Sequence, residues 1–243
     1  MLCEKKGIVK SINEICEELN FAVKEVNNKK NSIVVLAKKE CKLDIIQEER
    51  HLSVCRVNVF GEKYLLFIVH LTSAVHKEES ARNDRLLRIS GDIENLEKEE
   101  SKELEDLISS VVVGDFNLHP YSRGIIGAGG LNATMSKERA RKGKRIVDGE
   151  ERRFFYNPMW ALMGADKVVQ GTYYNDNDSQ DESMYWYTWD QVLIRAGLID
   201  KFPMEELKIV ENIGANELVT TGDVHKIDKK RYSDHLPIVF EIR

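Results

Sequence analysis

Two short polar clusters carry the residues best suited to chemistry in this chain of 243 residues. The first is Gly114-Asp115-Phe116-Asn117, which ends an apolar run, and the second is Ser233-Asp234-His235, which precedes another. Because side chains alternate along a strand, Asp115 and Asn117 share one side of the backbone. A carboxylate beside a carboxamide suits hydrolysis, since the acid can orient or deprotonate water and the amide can hold water or an anionic oxygen. Capping of backbone groups in a turn is the alternative interpretation.

The second cluster adds another carboxylate and an imidazole. An imidazolium such as that of His235 stabilises charge developing on a phosphate, and it needs a carboxylate to orient it. Asp190, at the start of the apolar run 190–194, is the candidate partner, and His70 ends the run 65–69. A surface position for Asp190 and a structural role for His70 are the alternatives. Because all these residues lie at ends of strand-like runs, we expect them to meet along one rim of a sheet.

Hydrophobic periodicity indicates the elements that position these residues. Helical spacing predicts helices at 11–26 and at 78–109, the second either continuous or divided near Gly91. Alternating or apolar runs predict strands, which are 33–37, 54–60, 64–69, 108–113 and 190–194. Strands interleaved with helices in this way predict one layered α/β domain over residues 1–243.

Composition narrows the class of protein. The content of 42% hydrophobic and 32% charged residues predicts a full core with a soluble surface. A net charge of -5 gives no general attraction to nucleic acid, although it leaves a local basic groove open. No run approaches the roughly 18 apolar residues that span a membrane, and no signal peptide is visible, so we expect a cytoplasmic location. The four cysteines lack CxxC spacing, which favours free thiols over disulfides or a metal site.

Basic and aromatic runs bear on the substrate. Residues 137–153 are rich in lysine and arginine, which is typical of a solvated helix face or of phosphate binding. Aromatic residues cluster at 154–160 and 185–189. These rings either pack in the core and at its rim, or stack on nucleobases.

Together the motifs resemble those of the endonuclease/exonuclease/phosphatase superfamily, which includes exonuclease III-like and deoxyribonuclease I-like proteins. The matching segments follow the family's order over nearly the whole chain, and they are 69–71, 112–117, 189–192 and 233–237. The resemblance implies a four-layer α/β/β/α sandwich of two mostly antiparallel sheets with flanking helices. It also implies hydrolysis of phosphate esters assisted by Mg²⁺ or Mn²⁺.

The resemblance further implies a role for each matching residue. Asp115 activates the attacking water, and Asn117 positions that water or the phosphate. His235, oriented by Asp190, stabilises the transition state, whereas His70 contacts the phosphate. Asp234, which adjoins His235, contributes to the metal site.

The family's main metal ligand is a glutamate at the tip of an early strand, and Glu4 is the matching candidate. An ordinary surface glutamate is the alternative. Family members usually begin with a further strand that carries an asparagine, and no counterpart precedes Glu4. A sheet that lacks this strand exposes unpaired backbone, so we expect a weakened metal site and pairing with a second chain.

The motifs do not select one substrate, because the superfamily cleaves DNA, RNA, phosphoinositides, sphingomyelin and small nucleotides. The basic and aromatic runs favour nucleic acid, so we expect a nuclease or related phosphodiesterase that uses in-line attack of water. A phosphomonoesterase or a lipid or nucleotide phosphatase is the first alternative. A catalytically weakened binding module is the second.

Overall fold

The computed structural model describes residues 14, 17, 21–24, 33–38, 41–59, 61–73, 78–103, 109–179 and 183–243. Strands within these ranges, in chain order, are β1 (Phe21–Lys24), β2 (Val35–Lys38), β3 (Lys42–Glu49), β4 (Leu52–Val59), β5 (Glu62–His70), β6 (Ser109–Asp115), β7 (Ala133–Thr134), β8 (Lys144–Val147), β9 (Glu150–Arg153), β10 (Phe155–Tyr156), β11 (Tyr173–Tyr174), β12 (Trp186–Tyr187), β13 (Asp190–Arg195), β14 (Lys208–Ile209), β15 (Asn212–Ile213), β16 (Asn216–Glu217), β17 (Val219–Thr220), β18 (Lys226–Ile227) and β19 (Ile238–Val239). Helices are α1 (Glu79–Glu103), α2 (Arg123–Ile126), α3 (Lys137–Arg141) and α4 (Met159–Met163), with 3-10 turns at Ala196–Lys201 and Met204–Glu206.

A seven-stranded mixed sheet forms the centre, with the strand order β3-β4-β5-β6-β13-β10-β7. Neighbouring strands are antiparallel, except that β5 is parallel to β6 and β10 is parallel to β7. Strand β6 lies in the middle, and its side chains are buried on both faces from Ser110 to Asp115. A continuous apolar run is what such a doubly covered strand requires.

Different layers cover the two faces of this sheet. On one face, α1 buries Leu86, Ile89 and Ile93 against β4, β5 and β6. The other face packs against β2, the pair β14–β19 and the 3-10 segment that follows β13. The order of helix, large sheet and second strand layer agrees with the predicted sandwich. None of the helices in the described ranges is long and apolar enough to cross a membrane.

The first predicted helix is wrong at its C-terminal end. Residues 14 and 17 are helical, but Phe21–Lys24 is a strand that pairs antiparallel with Val35–Lys38. Pairing with β2 outweighs the helical spacing there, because strand formation depends on a partner more than on local pattern. The remainder of 11–26 lies outside the described residues.

Helix α1 and strand β3 also bear on the predicted elements. Helix α1 runs unbroken through Gly91 over its described range, Glu79–Glu103, because buried residues on both sides of the glycine pack on the sheet. The edge strand β3 was not among the predicted strands. Its sequence is rich in charge, which protects a sheet edge but hides the strand pattern.

Candidate active site

Three polar side chains meet at one end of the three central strands. Asp115 closes β6 and lies opposite His70, the last residue of the parallel strand β5. It also lies opposite Asp190, the first residue of the antiparallel strand β13. The rim formed by His70, Asp115 and Asp190 is called the polar rim below. The predicted convergence of these residues therefore follows from strand direction and register.

Gly114 allows the strands to approach closely at this rim. Its φ of 142° is a backbone conformation that residues with a Cβ rarely adopt. A Cβ built at this position would lie 1.9 Å from the carbonyl oxygen of Val69 on the neighbouring strand. Any larger residue would therefore push β5 and β6 apart next to Asp115.

Asp115 and Asn117 form one buried hydrogen-bonded unit. The backbone N–H of Asn117 donates to Oδ1 of Asp115 at 2.8 Å, and its side-chain Nδ2 donates to Oδ2 at 2.6 Å. Asn117 has a φ of 47°, a left-handed conformation that asparagine tolerates better than most residues. The turn-capping geometry is therefore present, and it also fixes the carboxylate and carboxamide side by side.

His235 pairs with Asp190, as predicted. Its Nδ1 lies 2.8 Å from Oδ2 of Asp190, and both side chains are about four-fifths buried. Burial lowers the pKa of His235, but the hydrogen bond and charge of Asp190, with the charges of Asp115 and Asp234, raise it to about 9. The imidazole is therefore protonated at neutral pH, and Nδ1–H donates to the carboxylate.

Thr172 holds this pair in place, although the sequence offered no signal for it. The hydroxyl of Thr172 accepts the backbone N–H of Asp190 at 3.0 Å. Its carbonyl accepts the backbone N–H of Leu236 at 2.7 Å. Tyr173 then forms a single bridge with His235, and its ring stacks on Trp189 with centroids 4.2 Å apart.

A second buried brace supports the turn that follows Asp115. The side-chain Nε2 of Gln191 donates to the carbonyl of Leu118 at 2.7 Å. Asn157 in turn donates from Nδ2 to Oε1 of Gln191 at 2.8 Å, and both amides are fully buried. Neither residue was predicted to support the site, because the partners are 73 and 34 positions apart in sequence.

His70 completes the rim without a direct hydrogen bond to Asp115. Its Nε2 lies 3.9 Å from Oδ2 of Asp115, which exceeds hydrogen-bond distance. His51 donates from Nδ1 to the carbonyl oxygen of His70 at 2.8 Å. Burial lowers the pKa of His51, and this hydrogen bond opposes the effect.

Arg82, in the first turns of α1, adds a buried cation to the surroundings of the rim. Burial lowers the pKa of its guanidinium, whereas the charges of Glu79 and Asp115 oppose that shift. The influence of Asp115 places the arginine within electrostatic reach of the site. Its position was not predicted, because it lies in a run of charged residues that resembles a solvated helix face.

Solved structures with the same architecture were found, although no protein-family model and no curated protein sequence matches the chain. TDP2 from D. rerio, solved with a single-strand DNA product, is 16% identical with a TM-score of 0.51, covering 95% of this chain and 81% of that chain. A mannosyl-6-phosphatase from Bacteroides thetaiotaomicron is 12% identical with a TM-score of 0.54, covering 95% and 80%. An endonuclease/exonuclease/phosphatase family protein from the same organism is 12% identical with a TM-score of 0.51, covering 95% and 78%.

The chain has the endonuclease/exonuclease/phosphatase fold. The four-layer architecture that the motifs implied is thus confirmed at the level of fold. The polar rim of this endonuclease/exonuclease/phosphatase fold is formed by three segments that were recognised in the sequence, namely 69–71, 112–117 and 189–192. The fourth recognised segment, 233–237, brings His235 to Asp190 at this rim.

The rim offers oxygen ligands for a divalent cation. One atom each from Asp115, Asp190 and His235 lies within 4.8 Å of the others. A metal bound by all three residues would have to replace the proton that Nδ1 of His235 shares with Asp190 across 2.8 Å. These three residues therefore fit a proton-holding pair beside a carboxylate better than a three-ligand metal site. Asp234 is exposed beside them, and Glu4 lies outside the described residues.

The basic run 137–153 lies at the opposite end of the strands. Lys142, Lys144 and Arg153 line a cavity of about 400 Å³ together with Ser109 and Arg195, which are the outer ends of β6 and β13. This region is called the basic end below. Strand β6 has seven residues, so the basic end lies roughly 20 Å from Asp115 at about 3.3 Å per residue.

Acidic partners accompany much of this run. The ion pairs are Arg141 with Asp200, Lys144 with Glu151, Arg152 with Glu150, and Arg153 with Glu97. The predicted helix face is wrong for most of this run, since only Lys137–Arg141 is helical and residues 144–153 form the β8–β9 hairpin. The ion pairs favour solvated charges over phosphate binding at the polar rim. The aromatic run 185–189, in contrast, lies next to the rim through Trp189 and Tyr187.

Proposed function

We propose that the protein is a divalent-metal-dependent phosphoesterase that hydrolyses phosphodiester bonds in nucleic acid by in-line attack of water. One observation carries the proposal: Asp115, Asn117 and the protonated His235–Asp190 pair converge at one rim of this fold. This arrangement supports the proposal, because a carboxylate, a neutral amide and a cation near one another suit hydrolysis of a phosphate ester.

Asp115 is the proposed base. Its carboxylate is fixed by two hydrogen bonds from Asn117, so its direction is set before substrate binds. It orients the attacking water and accepts a proton from it. Asn117 contributes the amide that holds the water or a phosphate oxygen, and His70 is the proposed phosphate contact on the neighbouring strand.

His235 is the proposed electrostatic stabiliser. Because Nδ1–H donates to Asp190, the Nε2–H of the imidazolium is the donor left for a phosphate oxygen. Negative charge grows on those oxygens in the transition state, and a preorganised cation stabilises it most there. Asp190 keeps the ring oriented and protonated, so its role is that of a positioning residue.

Asp234 and Glu4 are the proposed carboxylates for Mg²⁺ or Mn²⁺. A hard cation of this kind prefers oxygen ligands and neutralises phosphate charge when bound. Asp234 is exposed next to His235, where it is open to such an ion. The assignment of Glu4 rests on the resemblance stated for the sequence.

Nucleic acid is the proposed substrate for two reasons. The similar structure of TDP2 from D. rerio holds a single-strand DNA product. Aromatic rings of Tyr173, Tyr187 and Trp189 also surround the His235 side of the rim. A phosphomonoesterase is the second candidate, and the similar mannosyl-6-phosphatase favours it.

A substrate panel tests the proposal. The protein is incubated with plasmid, single-stranded DNA, RNA, bis(p-nitrophenyl) phosphate and p-nitrophenyl phosphate, each with Mg²⁺, Mn²⁺ or a chelator. We expect metal-dependent cleavage of nucleic acid and of the diester. Cleavage of the monoester alone would replace the proposal with the second candidate. Binding of nucleic acid without turnover in any metal would identify a binding module.

A further inference from the structure

A cavity outside the polar rim is lined mainly by aromatic and thioether side chains. Its volume is about 760 Å³. Ligand pockets commonly measure roughly 300–1,000 Å³, so this size suits a small planar group. Tyr121, Met184, Tyr185 and Trp186 line it, and it is called the aromatic pocket below. The proposed hydrolysis uses none of these residues.

A series of ring contacts joins the aromatic pocket to His235. Tyr121 stacks on His119 with centroids 4.8 Å apart and planes inclined by 4°. His119 stacks on Tyr187 at 5.2 Å, and Tyr187 meets Tyr173 edge-on at 6.1 Å. The ring of Tyr173 lies 5.1 Å from that of His235. Trp186, which lines the pocket, also precedes Tyr187 in β12, and Tyr187 pairs with Tyr173, the bridge partner of His235. The pocket and the place proposed for the scissile phosphate are therefore connected by one series of packed rings.

The pocket is suited to a neutral ring and not to a phosphate. Among its lining residues in the described part of the chain, none is charged. Asp178 lies at its edge and accepts the hydroxyl hydrogen of Tyr185 at 3.1 Å, so the nearby charge is negative. Phosphate binding needs cations, whereas Gln170 and Ser183 supply neutral donors and acceptors that suit the edge of a nucleobase.

Two of its rings are presented to solvent in a fixed orientation. Tyr121 is 42% exposed and Tyr185 is 36% exposed, which is unusual for large aromatic side chains next to a core. The near-parallel stack of Tyr121 on His119 holds one ring face in place. The hydrogen bond to Asp178 restrains the other ring. Preorganised faces lose little conformational freedom when a planar group stacks on them.

We infer that the aromatic pocket binds a nucleobase of the single-stranded substrate whose scissile phosphate lies at His235. This inference rests on the proposed function, which it extends from phosphate chemistry to recognition of the base. Every base has a π face, so the pocket accepts different bases with similar strength. A duplex buries its bases in the stack, so single-stranded or short substrates are preferred.

Two oligomers with identical phosphates test the inference. One is oligothymidylate, and the other carries abasic tetrahydrofuran residues throughout. With Mg²⁺ we expect the thymidine oligomer to have the larger kcat/KM by about tenfold, through a lower KM, as expected for loss of one stacked base. In the Tyr121→Leu variant, the ratio of kcat/KM for the thymidine oligomer to kcat/KM for the abasic oligomer falls to about one. The matched control Tyr64→Leu lies at the far end of β5 and keeps the ratio of the unmodified protein.

Equal cleavage of the two oligomers by the unmodified protein, or an unchanged ratio in Tyr121→Leu, would overturn the inference while leaving the proposed function in place. If neither oligomer is cleaved with any metal, the proposed function fails. A binding measurement then tests whether the aromatic pocket takes a nucleobase. Adenosine, which has no phosphate, is then titrated and followed by saturation-transfer NMR. Saturable binding that Tyr121→Leu weakens about tenfold supports the pocket. Absence of saturable binding, or tighter binding of an alkyl phosphate than of adenosine, overturns it.

Discussion

Strand β13 carries a pair of one acidic and one basic side chain at each end, and the two pairs differ in their exposure to solvent. At the polar rim, Asp190 and His235 are 2.8 Å apart, with 19% and 22% of their side chains exposed. At the basic end, Arg195 and Glu97 are also 2.8 Å apart, with 5% and 1% exposed. The first pair has access to a ligand, whereas the second is sealed in the protein.

The two pairs also differ in their basic group, which is an imidazole in the more exposed pair and a guanidinium in the buried pair. An imidazole can lose its charge, and because the pKa of His235 is raised to about 9, it stays protonated at neutral pH and can donate to a bound phosphate. A guanidinium stays charged, and Arg195 is further held by stacking on Phe155 with its Cζ 3.6 Å from the ring centroid. We therefore expect changes at the rim to remove activity and changes at the basic end to remove stability.

The largest expected effect is on activity at the rim. Asp115→Asn keeps the shape of the side chain but removes the proposed base, so kcat should fall by about 10³-fold. The matched control is Asp200→Asn, an exposed aspartate near the basic end that pairs with Arg141. Hydrolysis rates and circular dichroism spectra of both variants check this prediction. Near-normal rates in Asp115→Asn would remove Asp115 from the proposed mechanism.

The second prediction concerns stability at the basic end. Glu97→Ala leaves the buried guanidinium of Arg195 without its carboxylate and also removes a 3.0 Å contact to Arg153. Breaking a buried pair in this way costs about 3–5 kcal/mol, which urea denaturation measures. The folded fraction should retain its specific activity. A variant with normal stability and reduced activity would contradict the division between the two ends.

The third prediction compares two glycines. Gly114→Ala, at the rim, should lower the free energy of unfolding by about 2–3 kcal/mol, because the new Cβ overlaps the Val69 carbonyl. Gly197→Ala, at the basic end, places its Cβ 3.6 Å from the Ser109 hydroxyl, an ordinary contact distance. The free energy of unfolding of the Gly197→Ala variant should change by less than about 1 kcal/mol. Equal denaturation midpoints for the two variants would show that β5 and β6 tolerate separation.

The smallest predicted effect is the pH dependence of stability in metal-free protein. The folded pKa of His235, about 9, lies above its unfolded value of 6.5, so the folded state binds the proton more tightly. Its stabilisation is complete below pH 6.5 and is lost as pH rises through 9. Between about pH 7 and about pH 9 we expect a loss of roughly 2 kcal/mol in the free energy of unfolding. Denaturation with chelator present measures it, and His235→Gln should lack this component.

The sequence predicted that the rim residues lie at strand ends, because each of them stands at one end of an apolar run. Asp115, Asp190 and His70 are therefore recognisable as residues at strand ends. Alternation similarly predicted β4, and apolar runs predicted β5 and β6, which are buried in the sheet. The same local signal failed for Phe21–Lys24 and for β3, where strand pairing outweighs helical spacing in one case and charge masks the pattern in the other.

The sequence did not predict which residues support the rim. Thr172, Gln191 and Asn157 act through hydrogen bonds to residues many positions away, and their types are common in loops. The basic run was equally ambiguous, because its charges show neither which end of a strand they accompany nor which acids they meet.

The sequence by itself therefore determined which groups are present and that they lie at strand ends, since side-chain alternation and hydrophobic periodicity are local properties. Only the tertiary structure decided that the aromatic run lies beside His235 and that the basic run lies at the opposite end. Strand order and register control those distances, and both depend on contacts between residues far apart in the chain.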